Sequence, residues 1–181
     1  MLERLTKGKQ AELYVFGELL RRGVVPYVPM ADIEGIDAVI RGASRYLELQ
    51  VKSSATLKSP RWFQVGRLTP RQGYFLVCVN LTAVPAETWV IPSEEFHRYA
   101  TRSTDKKGRT TCDLDLDSAS RQEPDRKRRE ILSQYKDAWH LLAQGASTFL
   151  PAGDNSEWSR VSEPAFGEEW SSHEDEEYDK L

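Results

Sequence analysis

The run Gly35-Ile-Asp-Ala-Val-Ile40, followed by Tyr46-Leu-Glu-Leu-Gln-Val-Lys-Ser-Ser54, constrains the fold of this 181-residue chain more than any other feature. Two short segments rich in apolar and β-branched residues flank Arg41-Gly-Ala-Ser44, which has the composition of a turn. They read as antiparallel strands over 36–40 and 46–52. Side chains alternate across a strand, so Leu47, Leu49 and Val51 point into a core while Glu48, Gln50 and Lys52 share the opposite face. Asp37 stands at the start of the first strand. A sheet with one buried face needs a partner layer, and the flanking sequence must supply it.

A helix is predicted over 7–22, with Gly23 as its C-terminal cap. Ala11, Val15, Phe16, Leu19 and Leu20 are its apolar positions. Glu12 lies three, four and seven residues before Val15, Phe16 and Leu19. This puts a carboxylate on or beside the buried stripe, where it needs a partner. Residues 24–28 read as a connection or an edge strand because of Pro26 and Pro29. Further strands are expected at 62–65, 74–81, 88–91 and 111–116, the apolar 74–81 run being central. Ser93 is expected to cap a helix through Tyr99, with Glu94 and Glu95 in its first turn. A last helix is expected over 124–142, burying Ile131, Tyr135, Trp139 and Leu142. Helix, strands, then helices predict an α/β domain on a mixed sheet.

Charge divides the chain unevenly. Residues 1–150 carry 23 basic and 18 acidic side chains, a balance of +5, whereas residues 151–181 carry 2 and 10, a balance of −8. The body is expected to form one domain able to approach a polyanion. The acidic segment 151–181 reads as a disordered tail, poor in burial capacity. No apolar run is long enough to cross a bilayer, and the N-terminus lacks the apolar centre of a signal peptide, so a cytoplasmic location is expected. Cys78 and Cys112 read as buried free thiols, without zinc-ligand spacing. Asp113, Asp115 and Asp117 read as the solvated face of a strand.

Together, Gly8-x-x-Ala11-Glu12 on the first helix, Asp37 at a strand and Gln50-Val51-Lys52 on the next resemble the PD-(D/E)XK nuclease superfamily. The resemblance is to small bacterial members with Gln-x-Lys in place of the acidic Glu-x-Lys. It covers 7–54 and extends loosely to about 142. It implies a restriction-endonuclease-like three-layer core, with a mixed central β-sheet flanked by helices. It also implies a metal-dependent DNA endonuclease, hydrolysing phosphodiesters with a metal-activated water. Glu12, Asp37, Gln50 and Lys52 would then be the catalytic set.

The chemistry suits those positions. Mg²⁺ (or Mn²⁺) prefers oxygen ligands and keeps several waters, so Asp37, the Gln50 amide oxygen and the Val51 backbone carbonyl would serve it, with Glu48 as a further candidate. Lys52 would orient the water or neutralise developing charge, and Glu12 would hold the ion's water shell or Lys52. Gln50 lacks the usual negative charge, which leaves open a weakly active or non-cleaving DNA-binding module of the same fold. A protein-interaction adaptor using the acidic tail is a third reading. Lys58, Arg61, Arg67 and Arg71 are candidates to track a DNA backbone, with Trp62 or Tyr74 available for stacking. A homodimer would bring two active sites to a duplex.

Overall fold

The computed structural model describes residues 2–31, 35–42, 44–54, 59–104, 108–116 and 123–143. The acidic segment and the proposed boundary near 151 lie outside the described residues, as does Asp117. Helix α1 (Leu2–Arg21) begins earlier than its apolar pattern predicts. Ala11, Val15 and Leu19 recur every fourth residue and are buried, while Leu20 is exposed. Gly23 ends the helix in a left-handed conformation at φ +74°, which glycine adopts without steric cost. The Gly23 and Val24 amides donate back to the carbonyls of Leu20 and Leu19.

Among the described residues eight strands follow: β1 (Pro26–Tyr27), β2 (Ala38–Arg41), β3 (Tyr46–Ser53), β4 (Trp62–Gly66), β5 (Tyr74–Asn80), β6 (Glu87–Pro92), β7 (Thr101–Thr104) and β8 (Thr110–Asp115). Five form the central sheet in the order β1-β2-β3-β5-β6, and three form a smaller sheet, β4-β8-β7. In the central sheet only β3 and β5 pair in parallel, so the sheet is mixed. The proline-flanked β1 lies at its edge, as prolines that lack an N–H require. The expected hairpin pairs Ala38 with Leu49 and Ile40 with Leu47.

Alternation sorts the sheet's two faces. Leu47, Leu49 and Val51 pack with Ala11, Val15 and Leu19 of α1 and with Trp139 and Leu142. On the opposite face, Leu76, Cys78 and Ile91 pack with Phe63 and Val65 of β4, Cys112 and Leu114 of β8, Phe96 and Leu132. The three expected layers are present, but a small sheet shares the second face with the helices. Strand β7 lies outside the expected strands and has no apolar alternation to mark it, because its four residues are polar and exposed. On β8, Cys112 and Leu114 are buried while Asp113 and Asp115 are half-buried, and Gln64 donates to Asp113 at 2.9 Å. Both cysteines are buried free thiols, as expected.

Two helix expectations are corrected. Ser93 is the first residue of α2 (Ser93–Tyr99), not its cap. Its hydroxyl accepts from the Arg71 amide and donates to the Arg71 carbonyl, both at 2.9 Å. The last helix is broken into α3 (Glu123–Ser133) and α4 (His140–Ala143). Between them the chain bonds to β6: the Tyr135 carbonyl accepts from the Val90 amide, and the Asp137 amide donates to the Thr88 carbonyl, each at 2.9 Å. The Thr88 hydroxyl also donates to the Asp137 carboxylate at 2.5 Å. These contacts turn the chain and bury Ala138 and Trp139, leaving Tyr135 half-buried. Among the described residues, no helix is long and apolar enough to cross a membrane.

Candidate active site

The β2–β3 ladder stops at the Ala38–Leu49 pair, where the Asp37 amide still donates to the Leu49 carbonyl at 2.8 Å. Beyond it the Asp37 carboxylate takes over, accepting from the Val51 amide at 2.7 Å. In an extended strand, a residue's N–H and C=O lie on the same edge. The Val51 carbonyl therefore points to the edge that Asp37 occupies. Gln50 and Lys52 flank it, on the face opposite α1.

Burial pushes the Asp37 carboxyl above the usual carboxylate range. The Val51 hydrogen bond and the Lys52 ammonium pull it back, and the nearby Glu12 carboxylate adds to the rise. Helix α1 thus brings Glu12 within electrostatic reach of Asp37. Glu12 is less buried than its position in the stripe suggests, with its side chain 18% exposed and paired to Lys9 on the same helix. That bond raises the Lys9 pKa. Lys9 is a further functional candidate with no distinguishing signal in the sequence, because an exposed lysine three residues before an acid looks like an ordinary helix pair.

Gln50 is 5% exposed, and its Oε1 accepts from the Tyr74 hydroxyl at 3.0 Å. It forms the floor of a cavity of about 390 Å³ whose wall includes Gly35, Gly66, Arg67, Thr69, Arg71 and Tyr74. Glu48 lies further back on β3 and is paired with Arg71, whose Nε donates to Glu48 Oε2 at 2.7 Å. The charge of Glu48 is thereby directed to an arginine. Among the described residues, no three His, Cys, Asp or Glu side chains gather in a metal-binding group. The oxygens at the β3 edge are instead the Asp37 carboxylate and the Val51 carbonyl, with Glu12 within electrostatic reach, while the Gln50 oxygen is turned to Tyr74. Such a set fits a hard, partly hydrated cation of the Mg²⁺ type, and a partly buried carboxylate is the feature a cation would relieve.

The basic candidates separate. Arg67 is exposed on the cavity rim, with its backbone in the left-handed region at φ +49°. Arg71 is half-buried between Glu48 and the Tyr74 ring, 4.3 Å from the ring centroid. Arg61 is drawn to β6, where its Nε and a terminal nitrogen donate to the two Glu87 oxygens at 2.9 and 2.8 Å. Lys136 and Asn80 also donate to Glu87, whose pKa falls to about 2, chiefly through Arg61. Lys58 lies outside the described residues. Tyr74 is 3% exposed, so it is not a free stacking platform.

No protein-family model and no curated protein matches the sequence. Among solved structures, a bacterial homing endonuclease, I-Ssp6803I, is similar at a TM-score of 0.50 and 24% identity. The match covers 78% of this chain and 92% of that one. This chain has the mixed α/β fold of that endonuclease, with a central mixed sheet flanked by helices.

Proposed function

We propose that this chain is a metal-dependent DNA endonuclease of the PD-(D/E)XK type, hydrolysing phosphodiester bonds. The observation that carries the reading is the Asp37 carboxylate held on the Val51 amide at the β3 edge, between Gln50 and Lys52. The fold similarity to a homing endonuclease supports it.

Asp37 and the Val51 carbonyl would hold Mg²⁺ or Mn²⁺. When bound, the ion supplies Lewis acidity and lowers the pKa of a water. Lys52 would orient the attacking water and offset charge developing on the phosphate. Glu12, already bonded to Lys9, would accept hydrogen bonds from the ion's water shell. Arg67 on the cavity rim, with Lys58, would contact the DNA backbone. A homodimer would supply one site to each strand, and light scattering with and without duplex would read this directly.

A non-cleaving DNA-binding module is the second reading. It is favoured by the neutral Gln50 and by the pairing of Glu48 with Arg71, which leaves Gln50 without a second acid's support. Supercoiled, linear and branched DNA incubated with Mg²⁺ or Mn²⁺ separates the two. Cleavage lost in Asp37→Ala and Lys52→Ala supports the enzyme. Binding without cleavage, indifferent to both substitutions, supports the module.

A further inference from the structure

The cavity over Gln50 has a chemistry of its own, apart from the metal edge. Its wall carries the guanidiniums of Arg67 and Arg71 and no carboxylate, and its volume of about 390 Å³ suits a small-molecule group. Gln50, 5% exposed, accepts the Tyr74 hydroxyl on Oε1 at 3.0 Å. That bond turns Nε2 the other way, toward Gly35, where an added Cβ would stand 2.2 Å from it. The missing side chain at position 35 keeps the space beside Nε2 open, and both residues line the cavity. Among the described residues Nε2 meets no acceptor.

A buried donor without an acceptor is costly, so this amide calls for a ligand that accepts. The two arginines set the sign of its charge. Arg71 is held in the wall: it pairs with Glu48, lies over the Tyr74 ring, and its Nη1 donates to the Thr69 carbonyl at 3.4 Å. Arg67 is exposed on the rim and meets no acid among the described residues. Donors and positive charge serve an anion rich in acceptor oxygens, of which phosphate is the one DNA supplies. Gly35 stands two residues before Asp37, so the cavity adjoins the edge where the metal would sit. At position 50 an acid would repel a phosphate, whereas an amide donates to it.

We propose that this cavity is a phosphate-binding site, in which the Gln50 NH₂ and the Arg67 guanidinium together hold a DNA phosphate other than the one being cleaved. Tyr74 keeps the amide turned, and Arg71 keeps the wall in place. The proposal rests on the nuclease reading above for its ligand, and it gives the neutral Gln50 a use that an acid could not serve. An internal phosphodiester and a terminal phosphomonoester share this chemistry, and the two arms of the test below tell them apart.

The test is duplex binding by fluorescence anisotropy in EDTA, with the full chain as wild type, Gln50→Met, Gln50→Glu, Arg67→Ala and the Gln50→Met/Arg67→Ala pair. One duplex is used in two forms, without terminal phosphates and with 5′-phosphates, and thermal melts verify folding. Methionine keeps the length of the side chain and removes the donor without adding charge. Gln50→Met should weaken binding about 10-fold, the low end for a hydrogen bond to a charged group. Gln50→Glu should weaken it about 100-fold or more, because like charges then face each other. In the Arg67→Ala background Gln50→Met should cost under about 3-fold, because the two residues share one phosphate. Tyr74→Phe releases the amide without touching position 50 and should weaken binding about 3-fold.

These losses on the duplex without terminal phosphates assign the site to an internal phosphodiester. Losses confined to the 5′-phosphorylated form assign it to a terminal phosphate. Wild-type affinity in the position-50 and Tyr74 variants on both forms, or losses that add fully with Arg67→Ala, overturn the site and leave Asp37-dependent cleavage untouched. A Gln50 dependence that emerges only when Mn²⁺ replaces EDTA also overturns it, since the residue then serves the metal. Wild-type protein that binds neither form overturns the nuclease reading and this inference with it.

Discussion

The Asp37 carboxylate accepts the Val51 amide at 2.7 Å, standing in for a strand that has left the ladder. One oxygen is committed to the backbone, so the carboxyl group is fixed in place at the edge of β3. Burial disfavours its ionised form, and the hydrogen bond and Lys52 offset only part of that. A group that costs stability when ionised, yet is held rigidly beside Gln50 and Lys52, is better explained by function than by folding.

That balance predicts a stabilising substitution. Asparagine at position 37 keeps an acceptor for the Val51 amide and removes the buried charge. Because the folded pKa is raised, the ionised carboxylate penalises the fold above that pKa, and the penalty vanishes as pH falls to the unfolded value. Asp37→Asn should therefore melt higher than wild type at neutral pH without metal, by about 2–4 °C for each ~1 kcal/mol relieved. The difference should shrink in acid. Mn²⁺ should raise the wild-type midpoint and leave the variant unchanged. Melting curves at several pH values, with and without metal, check each limb.

Lys52 should separate chemistry from metal binding. It lies on the same face as Gln50, half-buried, and acts on Asp37 only through its charge. Lys52→Met keeps the aliphatic stem and should lower kcat by about 10²-fold or more. Mn²⁺ affinity should change little or rise slightly, since a nearby positive charge is gone. Single-turnover cleavage beside a metal titration reads both, and a variant cleaving at the wild-type rate would remove Lys52 from the mechanism.

What the sequence made legible was periodic. The alternation of 46–52 put Gln50 and Lys52 on one face and Leu49 on the other, and Gly23 marked the end of α1. What it left hidden depends on partners far along the chain. Arg61 meets Glu87 across 26 positions and Arg71 meets Glu48 across 23, so neither pair has a local signature. The break after Ser133 has no proline or glycine, because backbone bonds to β6 make it. Tyr74 read as a stacking candidate, since an aromatic residue opening a strand gives no hint that its hydroxyl will meet Gln50.

The Glu87 cluster should act as an acid-labile clasp between β6 and its neighbours. Arg61, Lys136 and Asn80 all donate to it, and its pKa is held near 2. A depressed carboxylate contributes stability that is fully present above its unfolded pKa and is lost as pH falls toward the folded value. Glu87→Gln should cost about 1–2 kcal/mol at pH 7, discounted for the partly exposed partners. That deficit should close between about pH 4.5 and 2. Urea denaturation across that range checks it.

The basic candidates predict different salt behaviour. Exposed Arg67 on the cavity rim should contribute a phosphate contact, so Arg67→Ala should weaken duplex binding across sequences and reduce the log–log salt slope by about 1. Arg61 is held by Glu87 in a two-bond contact. Its removal should lower stability and leave the salt slope unchanged. Fluorescence anisotropy at a series of salt concentrations distinguishes the two, and a full slope in Arg67→Ala would take the DNA off this rim.

Gly35 provides the sharpest local test. Its φ of +73° is one that side chains resist, and an added methyl would meet the Gln50 amide nitrogen at 2.2 Å. The terminus of a glutamine ordinarily swings away from such a clash. Here the amide is buried and bonded to Tyr74, so it cannot move without losing that bond. Gly35→Ala should cost about 1–2 kcal/mol from the backbone alone and, beyond that, weaken duplex binding by displacing the amide. Pairing it with Gln50→Ala separates the effects, because the shorter side chain removes the clash and leaves only the backbone strain. If Gly35→Ala lowers stability equally with and without Gln50, and duplex affinity is unchanged, the glycine serves the turn and not the site.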